Sequence, residues 1–184
     1  MQARQIITTR YYESPCGPLL LGAFGPALCL CDWRAGKSRE AVDRRLQRRF
    51  SAVYEAGTSP VLTEAVAWLD GYFAGTRTAF NLPLALAGTP FQETVWRALG
   101  GIPYGETVSY GELARRIGMP GAVRAVANAN GANALSIFIP CHRVIGADHT
   151  LTGYGGGLAA KQYLLSLEAA RVCEKKLNFA IVKQ

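Results

Sequence analysis

An α+β fold in two units is what this chain of 184 residues predicts, and three features carry that expectation. The N-terminal part alternates apolar and polar residues between Gly/Pro breaks, as the strands of a meander do. Two later segments open with Thr89-Pro90-Phe91-Gln92 and Ser109-Tyr110-Gly111-Glu112, each a hydroxyl residue followed three positions on by Gln or Glu, the signature of a capped helix start. Lastly, the apolar run Ser136-Ile137-Phe138-Ile139 stops at Pro140-Cys141-His142-Arg143. Such a run reads as a buried strand that delivers a thiol, an imidazole and a guanidinium to the edge of the core.

Taken in order, strands are expected at residues 6–12, 18–24 and 27–33, separated by Pro15-Cys16-Gly17 and Gly25-Pro26. In the third of these, Cys29 and Cys31 should share one face, because side chains two apart in a strand point the same way. Residues 38–50 form a basic amphipathic helix with Val42, Leu46 and Phe50 on one side and Arg44, Arg45, Arg48 and Arg49 on the others. Those arginines suit a solvated face or a nucleic acid. A second helix over 60–74 turns Leu62, Val66, Leu69, Tyr72 and Phe73 inward and ends at Gly75. The step Ala87-Gly88 marks the boundary between a unit over 1–87 and a helical unit over 88–184.

In the second unit the first helix buries Phe91, Val95, Trp96, Leu99 and Ile102 and is stopped by Gly100, Gly101 and Pro103. The next carries Tyr110, Leu113, Ala114 and Ile117 on one stripe. The turn Gly118-Met119-Pro120-Gly121 leads directly into a short helix over 122–130, built of small residues around Arg124, so the pair is a helix-turn-helix candidate. Small side chains let that last helix approach a groove or pack tightly inside the protein; both readings stand. A final helix follows the glycine-rich loop Thr152-Gly153-Tyr154-Gly155-Gly156-Gly157 and runs to about residue 170.

Composition narrows the function. With 49% hydrophobic and 18% charged residues the chain can bury one ordinary core or two small ones. No segment has the length of a membrane span and the N-terminus lacks a signal-like apolar stretch, so a cytoplasmic location and no membrane partner are expected. Five cysteines without disulfide spacing read as free thiols. The only histidines, His142 and His149, do not combine with them at metal-site spacing, so no metal is expected. The glycine loop lacks the Gly-Lys-Ser/Thr of a phosphate loop, and no dinucleotide fingerprint appears, so no cofactor is expected. A formal charge of +7 suits a polyanionic partner.

Chemistry concentrates at Cys141. A thiol becomes a good nucleophile when its neighbours raise the thiolate fraction, and imidazole and guanidinium are such neighbours. In an extended strand Cys141 and His142 would point apart, so they meet only if the backbone turns or a water bridges them.

From residue 88 to Glu168 the chain resembles the O6-alkylguanine-DNA alkyltransferases. The resemblance rests on Thr89-Pro90-Phe91-Gln92 with Val95-Trp96, on residues 102–110, on Ala122-Val123-Arg124-Ala125-Val126, on Asn133, on residues 139–144, and on Thr152-Gly153-Tyr154 through Lys161 to Glu168. The first unit is similar, through its order of elements and Ser14-Pro15-Cys16-Gly17-Pro18, to that family's ribonuclease-H-like domain, a small antiparallel sheet with helices. The resemblance implies that Cys141 accepts an alkyl group from guanine O6 in one irreversible step. It implies that His142 takes the thiol proton through a water, that Glu168 orients the imidazole, that Tyr110 donates to the leaving base, and that Asn133 braces the backbone without touching the chemistry. Arg124 would fill the space of the extruded nucleotide, with Ala122 and Ala125 against the minor groove of double-stranded DNA, while Val144, Tyr154, Gly155 and Lys161 would form the base pocket. A monomer in solution is implied; cooperative assembly on DNA and activity on O4-alkylthymine are left open. Gly155 departs from relatives that carry a serine there. Two rival readings remain at this point: a module that binds alkylated DNA without transfer, and a cysteine hydrolase.

Overall fold

The computed structural model describes residues 5–36 and 38–181, with side chains as far as Cys173. Strands β1 (Gln5–Ser14), β2 (Gly17–Phe24) and β3 (Ala27–Trp33) form the expected antiparallel meander. A fourth strand, β4 (Ala52–Ala56), joins β1 in parallel and gives the order β3-β2-β1-β4. The sheet is therefore mixed and not purely antiparallel. Helix α1 (Arg39–Phe50) is the crossover that a parallel neighbour requires, carrying the chain from β3 to β4.

Alternation along β2 distributes the core. Leu19 and Leu21 pack with Leu62, Ala65, Leu69 and Tyr72 of α2 (Pro60–Phe73), whereas Leu20 packs with Val42 and Leu46 of α1 on the other face. Cys29 and Cys31 do not share a face as expected. Gly22 pairs with Leu30 and Ala23 with Leu28, so Cys29 is the extra residue of a bulge. That extra residue shifts the phase, sending Cys29 to the α1 side and Cys31 to the α2 side.

The free edge of β3 is closed by later chain. Leu28 exchanges backbone hydrogen bonds with Pro83 and Ala85, and Cys31 exchanges them with Ala134 and Ser136 at 2.8 and 2.7 Å. Pairing an edge in this way satisfies its N–H and C=O groups and ties the two halves together.

Helices α3 (Pro90–Gly100), α4 (Tyr110–Arg116) and α5 (Val123–Gly131) follow, and both expected capping boxes, Thr89 with Gln92 and Ser109 with Glu112, are present. Trp96 of α3 donates through Nε1 to the Ala129 carbonyl of α5 at 2.8 Å. The core of the first half runs on into Val95, Trp96, Leu99, Val126 and Phe138, so one continuous apolar cluster serves both halves.

Two expectations at the C-terminal end change. Residues 136–139 are not an extended strand: Ile139 N–H donates to the Leu135 carbonyl at 2.7 Å and Phe138 N–H to that of Ser136, and Ile137 holds a φ of 73°. A β-branched residue in that region costs on the order of 1–3 kcal/mol, which the buried Ile137 side chain offsets. Cys141–Arg143 forms a 3₁₀ turn, and only then do two residues of strand, β6 (Val144–Ile145), pair in parallel with β5 (Val108–Ser109). The last helix, α6 (Gly157–Ile181), continues past the expected end near residue 170.

Candidate active site

The 3₁₀ turn takes Cys141, His142 and Arg143 out of the strict alternation of a strand. All three are buried, and Glu168 from the middle of α6 meets the turn with no exposed surface of its own. The carboxylate is crowded with donors. His142 Nε2 lies 2.9 Å from Oε1, Arg143 Nε and Nη2 donate at 2.9 Å each, the Tyr72 hydroxyl donates at 2.7 Å and the Gly105 backbone N–H at 3.0 Å. Gly105 reaches that position with φ of 79° while Val172 sits against it, a place no larger residue fits without strain.

Burial alone pushes the Glu168 carboxyl up, but hydrogen bonds from His142 and Arg143 overcome it and hold its pKa at about 2. Since a carboxylate only accepts, the His142 proton belongs on Nε2 and the lone pair on Nδ1. Nδ1 is buried with no protein partner among the described residues. Burial also lowers the His142 pKa, with the Glu168 contact acting against it, so the ring rests neutral.

Cys141 is 5% exposed. Burial pushes its thiol up to about 11, while donation from Asn133 and the Lys161 charge pull it back. The resting group is thus a thiol and not the ionised sulfur expected from its neighbours. The guanidinium of Arg143 is turned away to Glu168 and to the Ile102 carbonyl, 2.6 Å from Nη1. Instead Asn133 serves the sulfur: Nδ2 donates to Cys141 Sγ at 3.2 Å and to the Ile139 carbonyl at 2.8 Å, and Oδ1 accepts from Leu135 N–H. Asn133 therefore makes the backbone-bracing bonds expected of it and, beyond that expectation, also touches the Cys141 sulfur.

Cys141, Asn133, Tyr154 and Gly155 line a narrow cleft with Asp32 and Ser136, holding about 20 Å³ of free space, room for roughly one water. Val144 and Lys161 do not line it. Val144 is fully buried, and Lys161 Nζ donates to the Val144 and Thr152 carbonyls at 2.6 and 2.7 Å, bracing the turn and the glycine loop. Burial lowers the Lys161 pKa to about 8. The Tyr110 hydroxyl accepts from Thr152 Oγ1 at 3.5 Å and also lies outside the lining. Gly156 holds its loop against Trp33, where a Cβ would come within 2.4 Å of the indole.

On the outer side, Ala122 caps α5, and Arg124 and Ala125 are exposed on its first turn, while Val126, Ala129 and Asn130 face inward. Sequence reasoning missed Tyr72 and Gly105, whose spacing from Glu168 gives no local signal, and read Arg143 as a partner of the thiol. Among the described residues no helix is long and apolar enough to cross a membrane, and no cluster of His, Cys, Asp or Glu could hold a metal.

Similarity to known proteins extends over both halves of the chain. The family described as 6-O-methylguanine DNA methyltransferase, ribonuclease-like domain, matches residues 7–86, and its DNA binding domain matches residues 90–170. The chain is 47% identical to the methylated-DNA–protein-cysteine methyltransferase of Mycobacterium leprae over 91% of its own length and 95% of that protein's. It is 44% identical to the one from Methanosarcina acetivorans, over 86% and 96% of the two chains. Among solved structures, Mycobacterium tuberculosis OGT in complex with DNA superposes with a TM-score of 0.76 at 46% identity, over 90% of this chain and 94% of that one. Sharing both domains of these proteins, in the same order and over nearly the whole length, the chain belongs to the methylated-DNA–protein-cysteine methyltransferase family.

Proposed function

We propose that the protein repairs DNA by a single transfer of an alkyl group, methyl in the simplest case, from guanine O6 to Cys141. The observation that carries the reading is the Nδ1 of a neutral His142, partnerless among the described residues and fixed by Glu168, in the residue next to a thiol whose sulfur already accepts a hydrogen bond from Asn133. In the reaction His142 Nδ1 takes the Cys141 proton through a water, Glu168 stabilises the imidazolium, and Asn133 stabilises the charge that develops on sulfur. Sulfur attacks the alkyl carbon as the bond to O6 breaks, and the proton ends on the departing guanine. Tyr110 assists as the donor to the base. The thioether has no route back to thiol, so each molecule acts once.

The lesion is reached by extrusion of the nucleotide, which costs a few kcal/mol. Small residues, half-buried Ala122 at the start of α5 and exposed Ala125 on it, suit close approach in the minor groove, and Arg124 suits the vacated space. The cleft at Cys141 is far smaller than a purine, so base entry requires movement of the loop 153–155. We further propose that residues 1–87 and 88–184 act as two units of one monomer in the cytoplasm, with the first unit holding the catalytic turn in place. O4-alkylthymine is kept as a second substrate to assay.

Incubation of the protein with a duplex bearing O6-methylguanine tests the reading. One methyl per molecule should appear on the Cys141 peptide, with no further turnover. A Cys141 peptide left bare after full incubation overturns it, and repeated turnover does so too.

A further inference from the structure

The chemistry proposed above makes no use of Asp32, yet Asp32 is a charged side chain in the lining of the Cys141 cleft. It comes from β3 in the first half of the chain and is 5% exposed. Its Oδ2 lies 3.5 Å from Arg39 Nη1, but Arg39 also pairs with Asp43 and donates to the Tyr54 hydroxyl, so this guanidinium is shared and neutralises Asp32 only in part. Its Oδ1 lies 3.7 Å from where a Cβ on Gly155 would stand, which turns the second oxygen to the glycine loop bordering the cleft.

The carboxyl and the thiol feel each other. After burial itself, and against the donation from Asn133, the Asp32 charge further holds the Cys141 thiol up. Burial raises the Asp32 carboxyl to about 6, with Arg39 opposing, which leaves it mostly ionised at neutral pH. An alkyl group being transferred must sit at Cys141 Sγ. A methyl has no atoms beyond the reacting carbon, but any longer group extends its distal atoms from Cys141 into the cleft that Asp32 helps to line.

We infer that Asp32 selects among alkyl groups by charge: it disfavours those with a distal anion and admits neutral ones and those whose distal atoms donate hydrogen bonds. The inference rests on the alkyl-transfer reading, and it names the class of lesion that reading would take. The bond balance is unchanged. Cys141 Sγ gains the alkyl carbon, that carbon's bond to O6 breaks, and the thiol proton passes to the guanine.

Two lesions of nearly equal shape, O6-carboxymethylguanine and O6-carbamoylmethylguanine, placed in the same duplex, test it alongside O6-methylguanine. The protein should transfer the neutral carbamoylmethyl group about tenfold or more faster than the anionic carboxymethyl group, since like charges within one poorly solvated cleft repel. In Asp32→Asn the gap should narrow by a similar factor. Equal rates for the two groups in the parent protein overturn the inference even if the variant fails to fold, and so does a gap that Asp32→Asn leaves unchanged. Methyl transfer alongside either of those results leaves the functional reading standing; absence of methyl transfer overturns that reading and this inference with it.

Discussion

At the scale of single residues, the proposed chemistry turns on Glu168 and His142. Against the burial that raises it, the His142 and Arg143 hydrogen bonds hold the folded Glu168 carboxyl at about 2, below its ordinary value of 4.5, so its stabilisation is complete above pH 4.5 and is lost as pH falls toward 2. The shift corresponds to roughly 3 kcal/mol. Denaturant midpoints over an acid series should fall through that window in the parent and fall less steeply in Glu168→Gln; identical acid slopes would refute the assignment. Replacing Glu168 by Ala leaves Arg143 buried without its partner and should cost on the order of 3–5 kcal/mol. His142 has its pKa lowered by burial, so the base form persists to pH below 6.5. Methyl transfer should therefore stay level through neutral pH and drop only on the acid side of 6.5. In His142→Ala, where a general base is lost, the rate at neutral pH should fall by roughly 10²–10⁴. A stopped-flow pH profile with its inflection above 6.5 would contradict the neutral resting imidazole.

At the scale of elements, α4 and α5 with the turn between them are the surface proposed for DNA, while the 3₁₀ turn and the loop 153–157 belong to the proposed site. Arg124 stands exposed on the first turn of α5, outside the core that Val126 and Ala129 join. Arg124→Ala should leave stability within about 0.5 kcal/mol of the parent, as exposed positions do. It should slow repair of O6-methylguanine in duplex DNA far more than reaction with free O6-benzylguanine, because only the duplex pays for extrusion. Equal losses on both substrates would remove the finger role. The capping boxes were legible because such helix starts are written locally, in hydroxyl and Gln or Glu side chains three apart, and residues 122–130 were legible from the small residues that follow the Gly118–Gly121 turn. The segment 136–139 was not, because its apolar composition suits a strand and a buried turn equally, and the left-handed Ile137 is paid for by contacts that composition does not reveal.

At the scale of the whole molecule, the first half is built into the site. Tyr72 of α2 donates to Glu168 at 2.7 Å, Cys31 of β3 pairs with Ala134 and Ser136, and Trp68 packs against Phe138 with ring centroids 4.7 Å apart. Tyr72→Phe keeps the ring and removes only the hydroxyl, so it isolates this coupling. It should destabilise the protein by about 1.5–3 kcal/mol, the worth of a hydrogen bond to a charged group, and slow methyl transfer less than His142→Ala does. A variant as stable as the parent in denaturant titration would mean that Glu168 does not depend on the first half.

The sequence by itself determined the elements whose causes lie within a few residues: three strands between Gly/Pro turns, two capped helices, the amphipathic α1 and α2, and the cluster of thiol, imidazole and guanidinium at 141–143. Only the tertiary structure decided the parallel strand β4, the bulge that parts Cys29 from Cys31, the Asn133 bond to sulfur, the five donors on Glu168 and the presence of Asp32 beside Cys141. Periodicity and capping act between neighbours in sequence, so they can be read along the chain. Hydrogen bonds and charges act through space, and partners as distant as Tyr72 and Glu168, 96 residues apart, meet only when a shared core brings their elements together.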